Sequence, residues 1–327
     1  MSLQLYIVIG LALVFDFLNG IHDSSNIVAT MIASRAFRPH TALSLTAVAE
    51  FLGPFLFGVT VATTIGEEVA QSTALNLEVI IACLFGAIAW NILTWILGIP
   101  SSSSHALIGG MVGAVLAGAG FGAIKIQGLE KVIIALVTSP LLGFIFGFLI
   151  TRIIYFLARN ASTSINEFFK RGQLVTALGM AFSHGTNDAQ KTMGIITLSL
   201  LIGGYIDKFA VPIWVVALSA GAIALGTALG GWKLIRTLGG RFYKIRPIHS
   251  FSTQLTSSFV ILSASILGLP VSTSQVVSSA IIGVGSSERL GKVRWSVAEE
   301  IVMAWIITIP ASALISACVY WLITRIF

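Results

Sequence analysis

Two short polar motifs each occur twice in this chain. Both pairs set ion-binding groups inside apolar sequence. The first motif is Asn19-Gly20-Ile21-His22-Asp23-Ser24-Ser25-Asn26, matched later by Ser183-His184-Gly185-Thr186-Asn187-Asp188-Ala189-Gln190-Lys191. At an offset of 165, Phe17, Gly20 and Asp23 align with Phe182, Gly185 and Asp188. The second motif, Gly98-Ile99-Pro100-Ser101-Ser102-Ser103-Ser104-His105, aligns with Gly268-Leu269-Pro270-Val271-Ser272-Thr273-Ser274-Gln275 at an offset of 170.

The aspartates suggest cation chemistry. A carboxylate within a membrane helix costs about 2.5–3.5 kcal/mol on insertion scales, and it persists where it meets a partner, a cavity or an ion. Ser24, Ser25 and Asn26 beside Asp23, and Thr186, Asn187 and Gln190 beside Asp188, make oxygen-rich surroundings suited to sodium. A protonatable site reads the same way. Gly20 and Gly185 would let each helix break and free carbonyls for a cation. The bland alternative is interhelical hydrogen bonding by buried polar groups. Lys191 shares a helix face with Asn187 and Asp188, either as counter-charge for an anion or as a neutralising partner of Asp188. Asp16 and Glu50 are further intramembrane carboxylates, as cation site, proton relay or structural partner. His22 points about 100° away from Asp23 on a regular helix, and the five histidines show no metal-ligand spacing.

The Pro–Ser motifs suggest anion chemistry. Proline suits the first turn of a helix and serine or threonine its N-cap. Each motif therefore predicts a hydroxyl-rich helix N-terminus, whose free N–H groups and positive dipole end attract anions. Two such ends facing one another would hold a tetrahedral oxyanion; phosphate and sulfate both fit. Alone, a serine cluster can equally be a close helix contact.

The elements that must position these motifs lie in a bilayer. Of 327 residues, 56% are hydrophobic and 10% charged, where a soluble domain carries about 25% charged residues. Runs such as 132–150 and 301–323 do not alternate, which excludes a porin-like barrel and leaves an all-α membrane protein. The net charge of +6 reflects loop composition rather than nucleic-acid binding. Cys83 and Cys318 give neither a disulfide framework nor a metal spacing. The N-terminus lacks the basic start of a cleaved signal peptide and reads as the first membrane helix.

Ten membrane elements are expected, at 4–34, 41–63, 77–98, 101–120 and 129–156, then 173–203, 211–231, 252–269, 271–286 and 295–325. The Ser-rich fourth and ninth are short, and could be re-entrant. The resulting organisation is a first membrane repeat at 1–158, a cytoplasmic linker at 159–172 and a second membrane repeat at 173–327. With the N-terminus outside, fourteen of the 19 Lys and Arg residues fall in inside loops, Arg35 and Arg294 among them. Outside lie Lys125, Lys131, Lys208 and Arg325, and Lys191 stays in the membrane. This partition follows the positive-inside rule. Five elements per half invert the second repeat against the first, a secondary-transporter plan with its site at the repeat interface. No Walker-type phosphate loop is present, so uphill transport would draw on an ion gradient or a partner chain.

Both Asp motifs and both Pro–Ser motifs resemble the duplicated signatures of the PiT family of inorganic phosphate transporters, in order and over nearly the whole chain. The resemblance implies phosphate symport with sodium or protons, broken helices and Ser-rich hairpins, and a cell-membrane protein with both termini outside. Phosphate and the bilayer are then its partners. It implies no cofactor, no enzymatic activity and no nucleic acid, and a homodimer is compatible with it. Carried over by position, Asp23, Asp188, Asn26, Asn187 and Glu50 would serve the coupling cation, with sodium at Asp23 and Asp188. Asn26, Ser102, Ser103, Ser104, Asn187, Lys191, Ser272, Thr273 and Ser274 would serve phosphate. The chain departs from the family at Gln275, where members often have His, and at Gln254, where they often have Glu. Other readings are a sulfate symporter of the same fold, an anion channel, and an intramembrane enzyme using Asp23 with Asp188 or Ser104 with His105. Against the last, adjacent Ser and His rarely share a helix face.

Overall fold

The computed structural model describes residues 2–70, 75–240 and 242–326. Twelve helices follow in order: α1 (Leu3–Ala33), α2 (Pro39–Phe57), α3 (Thr60–Thr63), α4 (Leu77–Leu97), α5 (Ser103–Ala119) and α6 (Ile126–Leu157), then α7 (Ile165–Ile202), α8 (Ile213–Leu229), α9 (Trp232–Gly240), α10 (Pro247–Ile266), α11 (Thr273–Glu288) and α12 (Trp295–Ile326). The protein is an all-α membrane protein. Five of these helices are long and apolar enough to span a bilayer on their own. On α6, Ile134, Val137, Leu141 and Ile145 are each about half exposed and lie one or two turns apart, forming a lipid-facing stripe. The opposite face of α6 buries Ser139, Gly143 and Gly147, and both glycines press against the α11 backbone at Val276 and Ala280.

The break points differ from expectation. α1 and α7 run unbroken through Gly20 and Gly185. A Cβ on Gly20 would stand 2.1 Å from the Ile223 carbonyl oxygen, and one on Gly185 2.1 Å from that of Glu50. These glycines therefore let two helix backbones meet; they do not open their own helices. The breaks fall in the neighbouring elements. α2 stops at Gly58, with φ +82°, before the short α3 and a π-helical turn at Thr64–Glu68. α8 stops at Gly230, with φ +75°, and α9 leaves at 70° to it. α7 starts at Ile165, ahead of the element expected at 173–203, so part of the stretch drawn as linker at 159–172 is helical.

The Ser-rich elements are the inner arms of two hairpins. α4 ends at Gly98, in the left-handed region at φ +71°, where Ile99 N–H bonds the Thr94 carbonyl at 3.0 Å. α10 ends likewise at Gly268, φ +69°, with Leu269 N–H on the Ala264 carbonyl at 2.9 Å. Proline follows each turn, and Ser102 and Ser272 then cap the returning helices by accepting from His105 N–H at 3.1 Å and Gln275 N–H at 3.4 Å.

Packing is preserved when the halves are exchanged. α1 lies against α8 as α7 lies against α2, and α5 runs along α12 as α11 runs along α6. α1 and α7 run antiparallel: Ser2 meets Tyr205, Asp16 meets Thr192, Asp23 meets His184 and Ser34 meets Gln173. Each hairpin belongs to one end. The base of α5 returns beside Val69, where Lys125 N–H bonds its carbonyl. The bases of α10 and α11 meet through Arg246 and Glu288, 2.7 Å apart. Arg35, Lys244, Arg246 and Arg294 line a cavity of about 620 Å³ at this second, basic end. The apolar core is split accordingly, one cluster holding Leu5, Ile80 and Leu107 and the other Met31, Phe242 and Ile281, with polar side chains between.

Candidate functional site

The polar layer is where both Asp motifs and both hairpin tips converge. Asp23, Asp188, Lys191, Ser104, Thr273 and Ser274 are all buried, none more than 2% exposed. Asp23 Oδ1 accepts from Asn26 Nδ2 and from Ser274 Oγ, each at 2.7 Å, and Asn26 also donates to Ser274 Oγ at 3.0 Å. Asp188 Oδ2 accepts from Thr273 Oγ1 at 2.7 Å, and the same hydroxyl lies 3.4 Å from Asp23 Oδ2. The second hairpin tip thus bridges the two aspartates.

The first tip arrives from the other side. Ser104 Oγ donates to the Val271 carbonyl at 2.9 Å and accepts from Lys191 Nζ at 2.7 Å. Lys191 is paired with Asp188 and also donates to the Val271 carbonyl at 3.0 Å. Lys191 is thus the neutralising partner of Asp188, and its ammonium sits between the two hairpin tips. Ser103 opens α5 beside Ser104. His105 Nδ1 is 2.8 Å from Ser102 Oγ, and Gln275 Nε2 approaches its ring at 3.3 Å.

His184 is the residue that the sequence analysis passed over. Its Nε2 lies 2.8 Å from Asp188 Oδ2 and 3.5 Å from Asp23 Oδ2, and its Nδ1 is paired with Glu50 Oε1. The available signal was its i,i+4 spacing to Asp188, which puts both on one face. Its ring nitrogen and the two aspartates offer three ligand atoms within 4.8 Å of one another. Three carboxylates, from Asp23, Asp188 and Glu50, here face three basic side chains, Lys191, His184 and His22, whose Nδ1 lies 3.4 Å from Asp23 Oδ1 although a regular helix points the two residues about 100° apart.

Several expected ligands are occupied in holding the site. Asn187 Nδ2 donates to Ser265 Oγ at 2.9 Å and to the Leu269 carbonyl at 3.2 Å, and its Oδ1 accepts from Val271 N–H at 3.3 Å. It fixes the second tip. Ser102 and Ser272 are spent as caps. Gln190 and Ser24 serve the broken helices: Gln190 Oε1 accepts from Val61 N–H at 2.7 Å, and Ser24 Oγ from Gly231 N–H at 2.7 Å. Motif residues thereby satisfy the backbone groups that the breaks expose, as a bilayer demands.

Fold and site together define a multi-pass membrane protein with a buried cluster of charged and polar side chains between two hairpin tips. A sequence pattern described as the phosphate transporter family matches residues 19–165 and 157–316, and the chain belongs to that family. It is 44% identical, over 97% of its length and 96% of the relative's, to a protein of Bacillus subtilis (strain 168) named probable low-affinity inorganic phosphate transporter. A Rhizobium meliloti (strain 1021) protein of the same name is 46% identical over 96% of this chain and 94% of its own. A solved structure titled the sodium-dependent phosphate transporter matches with a TM-score of 0.91 at 24% identity, covering 100% of both chains. At that identity the likeness speaks for the fold. Membership of a transporter family sets the enzyme reading aside.

Proposed function

We propose that this chain imports inorganic phosphate across the cell membrane by symport with a cation, through alternating access. The observation that carries the reading is the meeting of two hydroxyl-rich helix N-termini, one from each half, at a buried pair of aspartates. Phosphate is taken up between the α5 and α11 tips, by Ser103, Ser104, Thr273 and Ser274 with Lys191, where helix dipoles and hydroxyls favour an anion. The cation is held by Asp23 and Asp188, with Asn26 beside them and Glu50 acting through His184. Charge explains the coupling. The centre already holds three buried carboxylates, so a phosphate dianion entering alone would bring two further negative charges into a desolvated site. A cation that arrives with it removes that penalty.

The antiparallel course of α1 and α7, and the pairing that survives exchange of the halves, support two inverted repeats that rock about the shared centre. The basic end is the cytoplasmic one, which leaves both termini outside. Oxygen donors suit sodium, and the relative of solved structure is titled sodium-dependent. His184 between three carboxylates equally suits a proton.

Purified protein in liposomes, loaded with labelled phosphate under imposed sodium or proton gradients, tests the reading. Saturable accumulation that follows one gradient and resists excess sulfate is expected, and Asp23→Asn or Asp188→Asn should each abolish it. Flux that neither saturates nor needs a gradient would make the protein a channel, and stronger competition by sulfate would change the substrate. A cysteine placed at Lys125 should react with an impermeant thiol reagent from outside intact cells and one at Arg159 should not; the reverse pattern would invert the orientation.

A further inference from the structure

One cluster of buried polar groups plays no part in the centre described above. Two turns before Asp23, about 10 Å along α1 toward Ser2, lies Asp16, and one turn after it Asn19; both are fully buried. Asp16 Oδ1 accepts from Thr192 Oγ1 of α7 at 2.6 Å, but Oδ2 has no hydrogen-bond partner in the protein. Ser219 of α8 faces the same carboxylate, but its buried hydroxyl makes no close hydrogen bond to it. Neither amide atom of Asn19 has a partner.

Comparison of the halves shows why Asn19 stands alone. At the offset of 165 its counterpart is His184, which is paired with Glu50. The position that would answer Glu50 is Ile223, since the Ile223 carbonyl meets Gly20 as the Glu50 carbonyl meets Gly185. The first half therefore sets an amide against an aliphatic side chain. The counterpart of Asp16 is Ala181, so the carboxylate one turn away from that amide is also peculiar to the first half.

Each orphaned buried polar atom costs about 1–3 kcal/mol. Four such atoms lie in one small region, on the two helices α1 and α8, and three of them, Asp16 Oδ2, Asn19 Oδ1 and Ser219 Oγ, are oxygens whose cost a cation would relieve. The donors are all oxygens: one carboxylate, one amide carbonyl and two hydroxyls. That set suits a hard cation, and it lacks the nitrogen and sulfur ligands of transition metals. Its single negative charge balances a monovalent ion. We propose that Asp16, Asn19, Thr192 and Ser219 form a second cation site, for one sodium-sized monovalent ion, on the Ser2–Tyr205 side of the Asp23–Asp188 centre. Its role as a station on the cation's way to that centre rests on the symport reading; its existence as a binding site does not.

The test is binding of radiolabelled sodium to purified protein in detergent, without phosphate. Asp23→Asn should keep a sodium-binding component, and adding Asp16→Asn should remove it. Asn19→Leu keeps the charge but replaces the unpartnered amide by a side chain suited to Ile223, and should weaken that component at least about tenfold, the equivalent of about 1.4 kcal/mol. Should Asp16→Asn fail to fold, Asn19→Leu and Ser219→Ala carry the measurement. Unchanged sodium binding in these variants, or none left in Asp23→Asn alone, would overturn the site. Failure of gradient-driven phosphate uptake in the unaltered protein would instead remove the symport reading and leave the sodium measurement standing.

Discussion

Lys191 Nζ donates to Ser104 Oγ at 2.7 Å, so an ammonium of the second half is fixed by a hydroxyl at the helix tip of the first. The same hydroxyl donates to the Val271 carbonyl of the opposite tip. Ser104→Ala removes both bonds and leaves the Val271 carbonyl with Lys191 as its remaining donor. A loss of about 1–3 kcal/mol in stability is expected, read as a lower melting temperature in detergent. Phosphate half-saturation in liposomes should rise as well. Unchanged half-saturation would place the anion elsewhere.

Glu50 and His184 form a pair in which both groups are fully buried. Breaking a buried ion pair at one member leaves an uncompensated charge and costs about 3–5 kcal/mol, whereas removing both members costs less. Glu50→Gln and His184→Gln should each destabilise the protein strongly, and the double variant should be more stable than the sum of the two predicts. A double-mutant cycle on chemical or thermal denaturation measures this coupling. Additive losses would mean that the two side chains do not act as a pair.

Gly20→Ala and Gly185→Ala each force a methyl group to within 2.1 Å of a carbonyl oxygen on a neighbouring helix, so the helices must separate. Overpacking of this kind typically costs about 1–3 kcal/mol. Gly10→Ala, on the same helix α1 but with nothing within 4 Å of the new atom, is the control and should be neutral or slightly stabilising. Melting curves of the three variants separate close packing from helix flexibility, because a mere gain in helix propensity would stabilise all three alike.

Much of the centre was readable in the residues themselves. The offset of 170 between the Pro–Ser motifs reappears in the structure as two turns with the same left-handed glycine, the same closing bond and the same serine cap. Local chemistry decides such features, and local chemistry is visible in sequence. The role of Gly20 and Gly185 was not. A glycine that opens a helix and one that admits a neighbour look alike until Ile223 and Glu50 are placed beside them. His184 was missed for a related reason, since its partner Glu50 lies 134 residues away in the chain. The actual breaks, at Gly58 and Gly230, sit at ordinary-looking glycines whose meaning depends on Gln190 and Ser24 reaching across from other helices.

The two hairpins have a further consequence. They enter from opposite ends, and the bonds between them are few: Ser104 to the Val271 carbonyl, and Gln275 against His105. Under the alternating access proposed above, withdrawing either arm would break the same handful of contacts. One small set of bonds would then hold both openings shut.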